Sequence, residues 1–235
     1  MYLSFDCAYK SLAWSYIDVK SADELAAIKK DIVECTQLLI VADAKQCKIL
    51  RERLIKIKQS MDNFVTFKSQ GVIDLIPGLK TDCDPVLRTQ RLAAFLNTIE
   101  ISDDTIILIE RQPNKIGSKA NNKSTMVEHQ IMYHYVNKPM NNIIAVGGGV
   151  NGGSSTREVH LVSPHLKNKL KFGGRAITDY NTDKYRARKK HSKDMFLDLI
   201  KLTNNEHVIK GIRSKNLDDL ADSALQAVAF EYLSD

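Results

Sequence analysis

The chain has 235 residues, of which 43% are hydrophobic and 26% charged, a composition that excludes wholesale disorder and collagen-like repeats. No apolar run approaches the roughly 18 residues of a membrane span, and the first residues lack the pattern of a signal peptide. The net charge of +6 is consistent with a polyanionic partner, and four cysteines without a C-x-x-C pair favour a reducing compartment over disulfides or a cysteine zinc site.

The amino-terminal part predicts a β-hairpin followed by a mainly helical segment. Residues 2–6 and 12–19 have the pattern of two short strands. Ser21 and Glu24 have the spacing of a capping box, which marks the start of a helix. The helical pattern continues to about residue 63, although the apolar residues 38–41 also fit a short buried strand.

Strands and helices alternate over the rest of the chain. The patterns predict strands over residues 64–76, 105–110 and 143–146, and helices over residues 84–99, 124–137, 185–202 and 217–233. The run 105–110 (TIILIE) is typical of a central strand that is buried on both faces. The sequence therefore predicts an α/β protein with a mixed five-stranded sheet and helices on both faces.

Positive charge is concentrated between residues 164 and 193, which we call the basic stretch. It contains ten Lys or Arg residues and only two Asp residues. A solvated charged face is one interpretation, and a surface that neutralises nucleic-acid phosphates is the other. On the second interpretation, the residues predicted to contact DNA include Arg186, Arg188, Lys189 and Lys190.

Acidic residues stand at the ends of predicted core strands. Asp6 closes the first strand and Glu110 closes the most apolar one, and the ends of neighbouring parallel strands meet on one side of a sheet. In the last helix, Asp219 and Asp222 lie some 60° apart beside the apolar stripe, from where they can reach toward the strand ends. The helix dipole alone accounts for acids in the first turn but not for all four positions.

Four converging acids predict a metal site, because their charges repel one another unless cations lie between them. Ligand sets made only of oxygen suit Mg²⁺ or Mn²⁺ rather than zinc. Two such ions, about 4 Å apart, clamp a phosphodiester, one activating the attacking water and the other stabilising the leaving oxygen. Together with the basic stretch, the acids indicate a metal-dependent nuclease.

The same residues resemble the RNase H-like Holliday junction resolvases of the RuvC superfamily. Asp6 after the first strand, IERQ at residues 109–112 and DLAD at residues 219–222 have the order of motifs in that family. The string IERQP is similar to the fungal mitochondrial and poxvirus-type resolvases, and DDLADSALQA is similar to their closing motif. The resemblance covers residues 1–235 as one RNase H-like nuclease domain, except for about residues 21–62, which are interpreted as a helical insertion.

The resemblance implies a set of site residues and a cofactor. The implied metal ligands, for Mg²⁺ or Mn²⁺ with two ions per site, are Asp6, Glu110, Asp219 and Asp222. Asp218, one helical step away, is an alternative ligand. A catalytic lysine that contacts the scissile phosphate corresponds to Lys167 or to Lys169, and the sequence does not choose between them. Gln112, which follows the ligand strand, is expected to support the phosphate path and to contact DNA.

The predicted function is resolution of four-way (Holliday) and other branched DNA junctions by paired symmetric nicks, which a homodimer with one site per subunit performs naturally. An RNase H-like nuclease acting on RNA–DNA hybrids or DNA ends would share the four acids. A non-catalytic junction-binding protein has no reason to keep them, and an actin-like ATPase would need further phosphate loops. Because no Arg/Ser-rich leader is present, we expect a cytoplasmic or viral replication compartment rather than a mitochondrial location.

Overall fold

A five-stranded β-sheet forms the centre of the computed structural model, which describes residues 1–78, 84–112, 119–138, 157–170 and 184–233. The strands are β1 (Tyr2–Cys7), β2 (Ser11–Val19), β3 (Val65–Asp74), β4 (Ile106–Glu110) and β5 (Val159–Val162). Their order across the sheet is β3-β2-β1-β4-β5. The pairs β1–β2 and β2–β3 are antiparallel, and the pairs β1–β4 and β4–β5 are parallel. Strands β1, β3, β4 and β5 therefore all end at one edge of the sheet, which we call the carboxyl edge.

Six helices accompany this sheet in the described residues. They are α1 (Ala22–Val41), α2 (Ala44–Asp62), α3 (Pro85–Thr98), α4 (Lys119–Asn137), α5 (Lys184–Leu202) and α6 (Leu217–Leu233). One buried cluster joins α3 and α4 to one face of the sheet, and a second joins α5 and α6 to the other face. The strand order and the helices on both faces confirm the predicted α/β class with a mixed five-stranded sheet.

Alternation along β1 determines which side chains face α6. Leu3 and Phe5 are fully buried in the cluster below α3 and α4. Ser4 pairs with Ser15 of β2, and the Ser15 hydroxyl lies 2.8 Å from that of Ser223 in α6. Because side chains alternate between the two faces of a strand, Asp6 points to the same side of the sheet as Ser4.

Helices α1 and α2 form a helical hairpin between β2 and β3, at the edge of the sheet opposite the carboxyl edge. They pack chiefly against each other, around the buried side chains of Cys35, Leu50 and Ile57. A backbone hydrogen bond from Lys20 N to Phe64 O (3.1 Å) closes the base of the hairpin. Residues 38–41, which also fitted a short strand, are helical and end α1.

Two predicted helix starts are confirmed by their caps. Ser21 and Glu24 exchange both bonds of a capping box, at 2.8 and 3.2 Å. The Asp84 carboxylate accepts a bond from Val86 N at 2.9 Å, with a proline in the first turn of α3. The predicted strand 143–146 lies outside the described residues, and the fifth strand of the described sheet is β5, which the sequence pattern did not predict. No helix of the described segments is both long and apolar enough to span a membrane.

Candidate active site

Four carboxylates converge at the carboxyl edge and form what we call the carboxylate cluster: Asp6, Glu110, Asp219 and Asp222. The parallel register pairs Phe5 with Ile109, so that Asp6 and Glu110 are neighbours at the strand ends. Leu108 belongs to the buried cluster below α6, and alternation therefore directs Glu110 to that side as well. The first turns of α6 bring its two acids over this edge, and the four side chains line a pocket of about 520 Å³.

Two lysines lie among these carboxylates. The Lys167 ammonium donates a hydrogen bond to Glu110 Oε2 at 2.8 Å and lies 3.2 Å from Asp222 Oδ2. The Lys189 ammonium donates to Asp219 Oδ1 and to Asp222 Oδ2, both at 2.9 Å. Asp222 is thus bridged by both lysines, and the cluster is a network of charges rather than a set of separate acids.

The basic stretch therefore divides into buried and exposed charges. Lys167 lies in a short 3₁₀ turn just after β5 and is buried, whereas Lys169 at the end of the same turn is exposed. Of the two lysines that the sequence left open, only Lys167 enters the pocket. In α5, Lys189 also lines the pocket, while its neighbour Lys190 is exposed. The side chains of Arg186 and Arg188 lie outside the described part of the chain.

The network shifts the protonation equilibria of its members. Burial and the neighbouring Glu110 raise the pKa of Asp6 well above its ordinary value. Burial alone would raise the pKa of Asp222, but Lys167 and Lys189 outweigh it and lower that pKa. Burial would likewise lower the pKa of each lysine, yet the surrounding carboxylates raise both. Both ammonium groups and Asp222 are thereby held charged, whereas the raised pKa of Asp6 disfavours its ionisation.

The donor set of the cluster fits a hard divalent cation. Among the described residues, no group of three or more His, Cys, Asp or Glu side chains is arranged to hold a metal ion, and two lysine ammonium groups are paired with the acids. Four carboxylates against two ammonium groups leave a formal charge of −2. Asp222 Oδ1 is buried and has no hydrogen-bond partner in the described structure, which leaves it free to bind a cation.

Polar groups around the cluster complete the pocket. Gln112 lines it, and its backbone N–H donates to Glu128 Oε2 of α4 at 2.7 Å. Glu128 is almost fully buried, and it was not among the site residues predicted from the sequence. Its position in the sequence could have indicated it, because it directly follows Val127, which forms an apolar stripe of α4 together with Ile131 and Tyr135. Asp218, the alternative ligand, is not among the described residues that line the pocket.

Comparison with known proteins identifies one matching family. The sequence model of the family described as Poxvirus A22 protein matches residues 98–234, which include β4, β5 and α6. No curated protein matches the chain significantly in sequence. Among solved structures, RuvC of T. thermophilus in complex with a Holliday junction substrate superposes with a TM-score of 0.49 and 8% identity, over 99% of this chain and 96% of that one.

Proposed function

Because the chain belongs to the Poxvirus A22 protein family, a family of Holliday junction resolvases, we propose that it resolves four-way and other branched DNA junctions by divalent-metal-dependent hydrolysis at the carboxylate cluster. The observation that carries the proposal is the convergence of four carboxylates and two lysines in one pocket at the carboxyl edge. The matched residues include Glu110, Asp219 and Asp222 together with both lysines of the pocket.

The side chains of the pocket have separable roles. The carboxylate oxygens, Asp222 Oδ1 in particular, would hold Mg²⁺ or Mn²⁺. Ions held there would supply activation of a water molecule and stabilisation of the leaving oxygen of a phosphodiester. Lys167 places a positive charge at the floor of the pocket, where it offsets the repulsion between the scissile phosphate and the acids.

The remaining residues position the reacting groups. Lys189 links Asp219 to Asp222, which fixes two carboxylates of α6 relative to each other. Glu128 holds the backbone of Gln112, and thereby orients the segment that follows Glu110 along the pocket. We infer that Gln112 contacts the DNA backbone beside the scissile phosphate, since it lines the same pocket.

A two-fold homodimer follows from the symmetry of the substrate. A four-way junction presents two equivalent strands, and two nicks at symmetric positions need two active sites in a two-fold arrangement. We propose that each subunit contributes one complete pocket, because the described residues of one chain supply all four acids and both lysines. Location in the cytoplasm or a viral replication compartment stays a prediction.

The proposal is tested by incubating the protein with a four-way junction labelled on each strand in turn, with Mg²⁺. We expect nicks at symmetric positions on two opposed strands, and none with Asp222→Asn, which removes the charge that both lysines share. A plain duplex and an RNA–DNA hybrid serve as competing substrates. Preferential cleavage of the hybrid would favour the general RNase H-like nuclease, and binding without cleavage in Mg²⁺ or Mn²⁺ would favour a junction-binding protein.

A further inference from the structure

A second groove adjoins the carboxylate pocket and shares Asp219 with it. The groove has a volume of about 880 Å³ and lies between the last residues of β3 and the segment 210–216 that precedes α6. Because β3 ends at the carboxyl edge, the groove and the pocket form one continuous surface along that edge. We call it the side groove.

Three cations of the side groove have no acidic partner. Lys210, Arg213 and Lys215 all line it and are exposed. Within the described part of the chain, none of their side chains forms an ion pair or a hydrogen bond, in contrast to Lys167 and Lys189. Exposed cations clustered along a groove are the usual footprint of a phosphate-binding surface.

The two acids of the side groove are already engaged. Asp74 accepts a hydrogen bond from Ile76 N at 2.9 Å, and Asp219 accepts one from Lys189 at 2.9 Å. Four cations, Lys10 being the fourth, line the groove against these two acids, so its formal charge is +2. A negatively charged ligand is favoured there, whereas the neighbouring pocket favours a cation.

The segment that carries the three cations has a defined path. Gln70 of β3 donates a hydrogen bond to Val208 O at 2.7 Å, which joins the segment to the sheet just before it enters the groove. The chain then turns at Gly211, whose φ of 79° lies in the left-handed region that favours glycine. The turn lies between Lys210 and the other two cations, so the backbone conformation determines how the three are spread along the groove.

We propose that the side groove binds the sugar–phosphate backbone of the DNA strand on one side of the scissile phosphate. The inference rests on the proposed function and adds a binding site to it. A strand whose scissile phosphate lies at the carboxylate cluster passes Asp219 and enters the groove directly, because that residue lines both. Contacts to phosphates position a substrate without reading its sequence, so the groove fixes register rather than sequence preference.

The first test compares two variants that each lose three positive charges. The groove variant is Lys210→Gln/Arg213→Gln/Lys215→Gln, and the control is Lys29→Gln/Lys30→Gln/Lys45→Gln on the exposed surface of the helical hairpin. Junction affinity is measured in Ca²⁺ over a range of salt concentrations. Each lost phosphate contact reduces the slope of log K against log salt by about 0.9, so we expect a loss of about 2 to 3 in the groove variant and almost none in the control. Equal slopes for the two variants would overturn the inference.

The second test locates the contacts on the DNA, and its wild-type measurement does not depend on the fold of any variant. Single phosphates up to four nucleotides on either side of the scissile position are replaced by neutral methylphosphonates. The wild type should bind the junction more weakly when a methylphosphonate lies on one side of the scissile phosphate. The affinity of the groove variant should not change with these replacements. Equal sensitivity on both sides, or a groove variant that responds as the wild type does, would contradict the inference.

Failure of the groove inference and failure of the proposed function give different results. If the wild type neither binds nor cuts the junction, the proposed function is wrong and the groove inference falls with it. If the wild type binds and cuts the junction while the groove variant keeps the wild-type salt slope, only the groove inference is wrong.

Discussion

The carboxylate pocket and the helical hairpin contain ion pairs of the same length in different surroundings. Lys167 Nζ and Glu110 Oε2 are 2.8 Å apart with side-chain exposures of 8% and 12%. In the hairpin, Arg53 and Asp31 are also 2.8 Å apart, but their side chains are 39% and 49% exposed. Water screens the second pair, so that its loss costs little, whereas removing one partner of the first leaves a buried charge without compensation. Burial, rather than distance, therefore decides how much the loss of either ion pair costs.

The largest effect is expected when a carboxylate of the pocket loses its charge. Glu110→Gln and Asp219→Asn keep size and shape but remove negative charge where a divalent cation would bind. We expect cleavage of the junction to fall by about 10²- to 10³-fold, which corresponds to about 3 to 4 kcal/mol of transition-state stabilisation. Binding in Ca²⁺ should persist, because exposed cations carry most of the affinity. Single-turnover cleavage and gel shifts on the same junction measure both quantities.

Asp218→Asn is the matched control for Asp219→Asn. It removes the same charge from the adjacent position of α6, outside the pocket lining. We expect cleavage within about threefold of the wild type, as for a surface substitution that touches no reacting group. A loss as large as that of Asp219→Asn would show that the general charge of the helix end matters and that the ligand assignment is wrong.

The acids were predictable from the sequence, and the network that joins them was not. Asp6 and Glu110 end apolar strands, and two acids of α6 share one flank of an apolar stripe, so the periodicity of the chain already places all four at one edge. In the sequence, Lys189 could not be distinguished from its exposed neighbour Lys190, because a run of basic residues does not indicate which side chain faces the pocket. The choice between Lys167 and Lys169 depends on a short 3₁₀ turn that has no pattern of its own.

The second largest effect is on the stability of the fold, and it should differ between Lys167 and Lys169 of the 3₁₀ turn after β5. Lys167→Gln leaves Glu110 and Asp222 buried without their shared cation. We expect the free energy of unfolding, measured by urea denaturation without divalent cations, to fall by about 3 kcal/mol. Lys169→Gln removes an exposed charge and should change it by less than about 0.5 kcal/mol. If both variants are equally stable, the buried pair contributes no more than a surface pair, and the comparison with the hairpin fails.

A smaller effect is expected from Lys190, measured against its neighbour. Lys190→Gln removes an exposed charge and should reduce the salt slope of junction binding by about 0.9, the value for one phosphate contact. Lys189→Gln should leave the slope unchanged and destabilise the fold instead, because its ammonium group is bonded to Asp219 and Asp222. Equal slope changes for the two variants would mean that Lys189 leaves the acids when DNA binds.

The sequence also predicted most elements of the fold, because caps and periodicity are local signals. The capping box at Ser21, the Asp84 cap and the TIILIE strand all lie where they were expected. Strand β5 has only four residues and no alternation, and its place beside β4 is a long-range pairing that local patterns do not encode. Residues 38–41 are apolar enough for a strand, yet they extend α1. Only Leu39 packs on the core of the hairpin, and the other three side chains are exposed, so their apolar character does not reflect burial.

The smallest effect should follow from the largest change, which is removal of the helical hairpin. Lys20 N and Phe64 O are already hydrogen-bonded at 3.1 Å, so a two-residue Asn-Gly turn can replace residues 21–63 without moving β2 or β3. Because α1 and α2 pack chiefly against each other and lie opposite the carboxyl edge, we expect junction cleavage within about threefold of the wild type, less than about 0.7 kcal/mol in activation free energy. Leu50→Ala in the full chain is the companion variant, since it weakens only the core of the hairpin. Circular dichroism checks that the sheet is still folded in both variants. If the cleavage rate nevertheless falls about 30-fold in both, the hairpin takes part in cleavage, and the contrast between the two regions is wrong.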